Sequence, residues 1–255
     1  MLNKTDKNIE KERFDKRALE KINEFDNKFK KGSSEISESL RTPYLVFESL
    51  IDRYVKKNME VLEVGSGNGQ YTHSLLKNKA NVIASDISEN CLELIKKRYS
   101  NYFQKGFLKT KVADMESLPY ENNRFDVVVI AGSLSYGDAN IVDKEISRVL
   151  KPRGVFLCVD SLNENYIYRT NRYLQYLMQK RSRLTIENMP DFNRIDAIEK
   201  LYNKTKIQYF GKFSWLCIML ESIIGGEKSK KFSDYVDNRI SIHSLSFKFV
   251  LSAIK

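Results

Sequence analysis

Between residues 58 and 160 the apolar positions keep two rhythms. Short apolar-rich runs at 61–64, 81–85, 107–113, 126–131 and 155–159 read as strands, and the almost continuously apolar 126–131 reads as a central strand of a parallel sheet. Between them, apolar residues recur at spacings of three and four. Residues 70–79, the segment SENCLELIKKRYS with Cys91, Leu92 and Ile95 turned inward behind a Ser88 N-cap, and residues 141–150 therefore read as helices. Strands alternating with helices predict an α/β domain. Upstream, Phe14, Ala18, Ile22, Phe25 and Phe29 form one stripe of a charged helix over 5–31, which packs on the body of the protein as an edge cover or a lid. A second helix over 43–54 follows Thr42 as N-cap. Downstream, the pattern predicts a helix over 166–183, a strand at 206–210, a helix containing Trp215, a charged helix over 228–238 and a closing strand in FKFVLSAIK.

Glycines punctuate the first of these strands. In EVLEVGSGNG the apolar run stops at Gly65, Gly67 and Gly69, where a backbone free of side chains lets a ligand approach and the following helix start offers unpaired N–H groups. Twenty-one residues after Gly65 the second strand ends at Asp86, whose carboxylate can accept from ribose hydroxyls. The unit reads as a nucleoside-binding βαβ module. A dinucleotide site needs G-x-G-x-x-G, but position 70 is Gln, and Glu63 would repel a phosphate while suiting a cationic ligand. An NAD-type fold is the weaker alternative.

The run V-L-E-V-G-S-G-N-G, with Asp86 beyond it, resembles motif I and the acidic ribose position of class I S-adenosylmethionine-dependent methyltransferases. The L-P-Y and K-P-R-G steps extend the likeness over roughly 58–160. The resemblance implies a Rossmann-like seven-stranded sheet with helices on both faces, its last strand antiparallel, and S-adenosylmethionine as cofactor. It places Glu63, Gly65, Ser66, Gly67, Gly69, Asp86 and Ile87 around the cofactor. Asp114 receives the adenine amino group with Met115 beside the ring, and Tyr44 closes over the methionine end, with Arg41 as a further contact. Because ligands in open α/β sheets sit beyond the carboxyl ends of the strands, Ala131 and Ser133 should line the cofactor and Tyr136 and Asp138 the acceptor.

Four parts follow: N-terminal helices (1–57), a cofactor-binding core (58–160), a helical acceptor cap (161–205) and a C-terminal completion of the sheet (206–255). For a hydroxyl acceptor Asp138 is the first general-base candidate, with Tyr136 and His243 behind it. Asp138, Asp160 and Asn163 do not spell out a metal trio, so no metal is expected. Cys91, Cys158 and Cys217 lack ligand spacing and read as buried thiols.

The formal charge of +10 favours anions: phosphorylated metabolites, nucleic acid or an anionic membrane surface. In the 166–183 helix Ile167, Leu174, Leu177 and Met178 share one face. Arg169, Arg172, Lys180 and Arg183 gather with Tyr176 on the other, and Arg181 breaks the pattern. No acidic residue separates Glu164 from Glu187. Such a face is either a solvated one or a site for a small anionic acceptor. A likeness to methyltransferases of surface-polysaccharide assembly points to a sugar, a nucleotide-linked sugar or a phosphate-bearing intermediate. An RNA methyltransferase and a non-catalytic accessory subunit are the alternatives. A homodimer is possible, no apolar run is long enough to span a membrane, and a cytoplasmic location is expected.

Overall fold

The computed structural model describes residues 4–23, 29, 31–178 and 181–255. Seven strands form one sheet: β1 (Glu60–Val64), β2 (Asn81–Asp86), β3 (Leu108–Val112), β4 (Phe125–Ala131), β5 (Leu150–Ser161), β6 (Lys204–Phe210) and β7 (Lys248–Ile254). Their order is β3-β2-β1-β4-β5-β7-β6. β1 to β5 pair in parallel, with Val61 opposite Val127 and Leu62 opposite Val128 across β1 and β4. β7 runs antiparallel to both β5 and β6. The chain reverses its order of travel between β1 and β4, and this switch point opens a crevice at the carboxyl ends.

Eleven helices accompany the sheet among the described residues: α1 (Lys4–Asn23), α2 (Thr42–Tyr54), α3 (Thr72–Leu76), α4 (Glu89–Arg98), α5 (Ser100–Gln104), α6 (Ala139–Val149), α7 (Tyr166–Leu177), α8 (Arg183–Glu187), α9 (Phe192–Glu199), α10 (Ser214–Ile224) and α11 (Gly226–Arg239). Both sheet faces are covered over the central strands, which is why β1, β4 and the body of β5 are apolar without alternation, whereas the edge strands β3 and β6 keep exposed polar positions. On one face Phe47 and Ile51 of α2, Leu75 of α3 and Ile95 of α4 pack on Val61, Val82 and Val127. On the other, Val142, Ile146 and Val149 of α6 and Ile195 and Ile198 of α9 pack on Leu62, Val128 and Phe156.

The N-terminal stripe finds its partner in α4, where Ala18, Phe14 and Ile22 meet Cys91 and Leu94. The described part of α1 runs over Lys4–Asn23. Phe25 lies outside the described residues, and Phe29 sits beneath the Arg98 guanidinium, 3.6 Å from its ring centroid.

Other boundaries move for identifiable reasons. Thr42 is not an N-cap, because its hydroxyl donates to Asp234 at 2.6 Å and α2 starts without a side-chain cap. Ser88 is one, accepting from the Cys91 N–H. The K-P-R-G segment belongs to β5 itself: a register shift between Phe125 and Val127 of β4, opposite Leu150 and Val155, absorbs the extra residues. The 166–183 helix divides, with α7 stopping at Leu177 and Ser182 capping α8.

Candidate active site

The switch-point crevice holds a cavity of about 540 Å³, a size that encloses a drug-sized ligand. Its floor is the glycine turn. Gly65 and Gly67 adopt φ of +64° and +50°, a conformation costing an ordinary residue roughly 1–2 kcal/mol. A Cβ on Gly65 would lie 2.4 Å from the Ser133 hydroxyl oxygen, so this glycine keeps β1 and β4 close. The turn is tied to β2: Ser66 N–H donates to Ser85 O, and Gly67 N–H donates to Asp86 Oδ2 at 2.8 Å. The Ser88 N–H holds Asp86 Oδ1 at 2.9 Å. Burial pushes the Asp86 carboxyl upward while these N–H groups pull it back.

Glu63 is placed differently from its sequence reading. Its side chain is 4% exposed and accepts from Thr72 Oγ1 at 2.6 Å. Burial pushes its pKa to about 8, the Thr72 bond opposing and Asp86 adding to the rise. That shift favours the neutral acid and weakens the repulsion of a phosphate expected from a fixed charge at this position. A cation seated beside it would favour the ionised form. Binding of a sulfonium amino acid is therefore expected to release up to one proton below pH 8, and affinity should rise with pH toward that value. Calorimetry in buffers of different ionisation enthalpy measures this, and Glu63→Gln should abolish the release. Identical heats in all buffers for the wild type would refute the linkage.

Further along the wall, Asp114 follows β3. Its Oδ1 accepts from the Glu116 N–H, and Oδ2 from Lys7 Nζ at 2.6 Å. Lys7 also lies 2.7 Å from Glu116. Burial lowers the Lys7 ammonium, but its two carboxylate partners outweigh that and leave it raised.

The roof is α1. Phe14 meets Tyr136 edge-on, with centroids 5.4 Å apart, and Glu10 reaches across to accept from the Ser182 N–H while paired with Arg13. Tyr136, desolvated beneath this roof and close to Glu10, has its phenol pushed upward. Tyr71 is 5% exposed, lines the cavity, and its hydroxyl has no hydrogen-bond partner among the described residues.

Ser66, Ile87, Met115 and Ala131 line the same space, so most of the proposed cofactor shell converges. Gly69 does not: a Cβ there would strike Ile95 at 2.8 Å, so the third glycine serves α4 packing. Tyr44 stands behind the wall, stacked 6.2 Å from Tyr71, and Arg41 is spent on Ile36 O.

The acceptor-side expectations are largely redirected. Asp138 caps α6, accepting from the Asn140 and Ile141 N–H groups, and does not line the cavity. Exposed His243 stacks on Tyr209, 4.5 Å between centroids. The basic face of 166–183 is not assembled either. Arg172 is buried and donates to Leu162 O and Asn163 Oδ1, whereas Arg169 is exposed over Tyr166 and exposed Arg183 pairs with Glu187. Tyr176 lies against Tyr173; Lys180 falls outside the described residues. Asp160 is occupied by the Leu134 and Ser161 N–H groups, and no cluster of three or more His, Cys, Asp or Glu side chains able to hold a metal occurs among the described residues.

Sequence reasoning missed Lys7, Glu10 and Tyr71. The first two sit on a helix whose apolar stripe was legible but whose target was not. Tyr71 follows the glycine turn directly, and a bulky phenol at a helix start beside a ligand loop was the available signal.

A nucleoside-type glycine turn, an acid at the end of β2, a second just after β3 and a seven-stranded sheet with an antiparallel β7 are together the features of a class I S-adenosylmethionine-dependent methyltransferase. Residues 62–158 match the family described as methyltransferase domain, Methyltransf_11. The ubiquinone/menaquinone biosynthesis C-methyltransferase of Rickettsia akari (strain Hartford) is 39% identical over 130 residues, 47% of this chain and 52% of the relative. The chain thus spans about half the length of that relative. The demethylmenaquinone methyltransferase of Staphylococcus aureus (strain MRSA252) is 29% identical, over 74% of this chain and 73% of its own. Among solved structures, geranyl diphosphate C-methyltransferase from Streptomyces coelicolor A3(2) superposes with a TM-score of 0.59 at 16% identity, covering 83% of this chain and 78% of that one. Surface-glycan assembly finds no support among these relatives.

S-adenosylmethionine is the cofactor of this family, and the residues present fit it. The Gly65 position is one that a Cβ would close, and Asp86 and Asp114 line the cavity at the end of β2 and just after β3.

Proposed function

We propose that this protein methylates a ring carbon of a phenolic or quinol acceptor, in the manner its quinone-methylating relatives suggest. The observation that carries the reading is the roof over the cavity: Phe14 and Tyr136 bound it with aromatic surface, and of the basic residues that line it Lys7 is already paired with Asp114 and Glu116. The bound cofactor supplies an electrophilic methyl group. The chain's own residues then have two tasks, orientation and proton removal.

Holding the acceptor in line behind the methyl carbon is worth roughly 7–11 kcal/mol of barrier, and the aromatic pair suits a planar ring in that role. A phenolic ring carbon becomes nucleophilic as its hydroxyl proton leaves; once the methyl group had passed from sulfur to that carbon, the ring C–H proton would be lost and the hydroxyl regained, a net release of one proton. Glu10, beside Tyr136 and held by Arg13 and Ser182, is the carboxylate positioned to take that proton, directly or through Tyr136.

Incubation with methyl-labelled cofactor and a short-chain demethylated naphthoquinol should give a product whose label resides in a ring C–CH₃ group by NMR. Sugar nucleotides should remain unlabelled. Transfer to a sugar or phosphate oxygen, with none to the quinol, would overturn the assignment of acceptor while leaving the family intact.

A further inference from the structure

The helices after the fifth strand carry a surface that the methyl-transfer reading does not use. Thirteen of the nineteen exposed large apolar side chains among the described residues lie beyond residue 161. On α7 these include Leu174 and Leu177, 51% and 58% exposed, and on α10 Met219 and Ile223, 62% and 78% exposed. A domain of this kind seldom leaves so much apolar area in water without a partner.

The two helices are fastened at their starts. The Tyr168 hydroxyl bonds the Ser214 hydroxyl and accepts from the Trp215 N–H. At its other end, the turn after α7 reaches the roof of the cavity through the bond from Ser182 N–H to Glu10. The apolar helices therefore adjoin the lid of the active site.

Basic groups stand on α7 and at the end of α11, which packs against α10. The Arg169 guanidinium lies 5.8 Å from the centroid of Tyr166, and that of Arg239 5.4 Å from the centroid of Tyr235. Both tyrosines are exposed, and neither arginine is paired with a carboxylate among the described residues. Arginine over an exposed phenol beside bare aliphatic side chains is the composition of an element lying in a bilayer interface, with apolar groups entering the acyl boundary and cations meeting the headgroups.

We infer that α7 and α10, with the flanking Arg169 and Arg239, form a docking surface for an anionic lipid bilayer. Charge selects the occupant. Two copies meeting through this face would bring basic faces together on chains of net charge +10, an arrangement that repulsion penalises. A bilayer carrying anionic headgroups attracts the same face, with each basic residue near the surface worth about fivefold in binding. The inference does not rest on the acceptor, because binding to vesicles is read without one.

The experiment is co-sedimentation of the full chain with phosphatidylglycerol-containing vesicles and with phosphatidylcholine vesicles, at low and high salt. The wild type should bind the anionic vesicles, and binding should weaken as salt rises. Leu174→Glu with Leu177→Glu, and separately Met219→Glu with Ile223→Glu, should each reduce that binding about tenfold or more. Because all four side chains are exposed, the circular dichroism spectrum and S-adenosylhomocysteine affinity should stay unchanged, which separates loss of docking from loss of fold. Failure of the wild type to bind anionic vesicles would overturn the proposal, and so would undiminished binding by both variants. A concentration-dependent dimer that these variants dissociate would assign the surface to a second copy instead and would overturn it equally.

Discussion

Replacing Gly65 by valine should abolish cofactor binding and activity. A Cβ at this position already lies within 2.7 Å of both the Ser133 Oγ and Cβ atoms, and branching adds two methyl groups to a wall whose backbone φ of +64° disfavours any side chain. Strain and overlap together are expected to cost at least about 4 kcal/mol, roughly a thousandfold in affinity. Gly67→Ala is the contrast. It has a similar φ but nothing within 4 Å of the new Cβ, so about 1–2 kcal/mol of strain is all that backbone conformation imposes. Calorimetry with S-adenosylhomocysteine, alongside thermal melts of both variants, checks the pair. Equal losses at the two positions would show that contact with Ser133 is not what makes Gly65 necessary.

Asp86→Ala should produce the second-largest effect. Its two oxygens already organise the Gly67 and Ser88 N–H groups, and the residue lines the cavity at the place where the resemblance puts the ribose hydroxyls. Loss of charge-assisted bonds of this kind costs about 1.5–3 kcal/mol, equivalent to roughly ten- to hundredfold in cofactor affinity. The acceptor KM measured at saturating cofactor should move little. An affinity within twofold of wild type would remove Asp86 from the ribose site.

The core of the fold was legible because it is written in local signals. β1, the glycine turn and Asp86 form one continuous stretch whose apolar run, φ requirements and terminal acid all agree, and the structure keeps them within hydrogen-bond reach of each other. Ser88 and Cys91 were readable for the same reason, a cap and its third residue being neighbours in sequence. The acceptor side was not local. Glu10 meets Ser182 across 172 residues and Lys7 meets Asp114 across 107, so neither contact leaves a mark in the spacing of adjacent residues. The α7 segment misled for a different reason. A helical wheel sorts side chains into faces but cannot say which face is buried. In the fold Arg172 and Tyr168 turn inward, while Leu174 and Leu177 turn out. Asp138 shows a third limit: a carboxylate just before a helix satisfies the first-turn N–H groups, and that local demand outranks a general-base role inferred from position alone.

The place of β7 in the sheet bears on how the protein is made. Of the seven strands it leaves the ribosome last, yet it lies between β5 and β6 and pairs with both. During synthesis the parallel half, β1 to β5, has all its internal pairings available, while β6 has no strand beside it and β5 keeps a raw edge that invites intermolecular pairing. The nascent chain can thus assemble the cofactor half early, but only arrival of FKFVLSAIK converts two exposed edges into a finished sheet. Interrupted translation between Ser161 and Lys248 would release a chain with its methyl-donor pocket nearly built and its aggregation hazard unresolved.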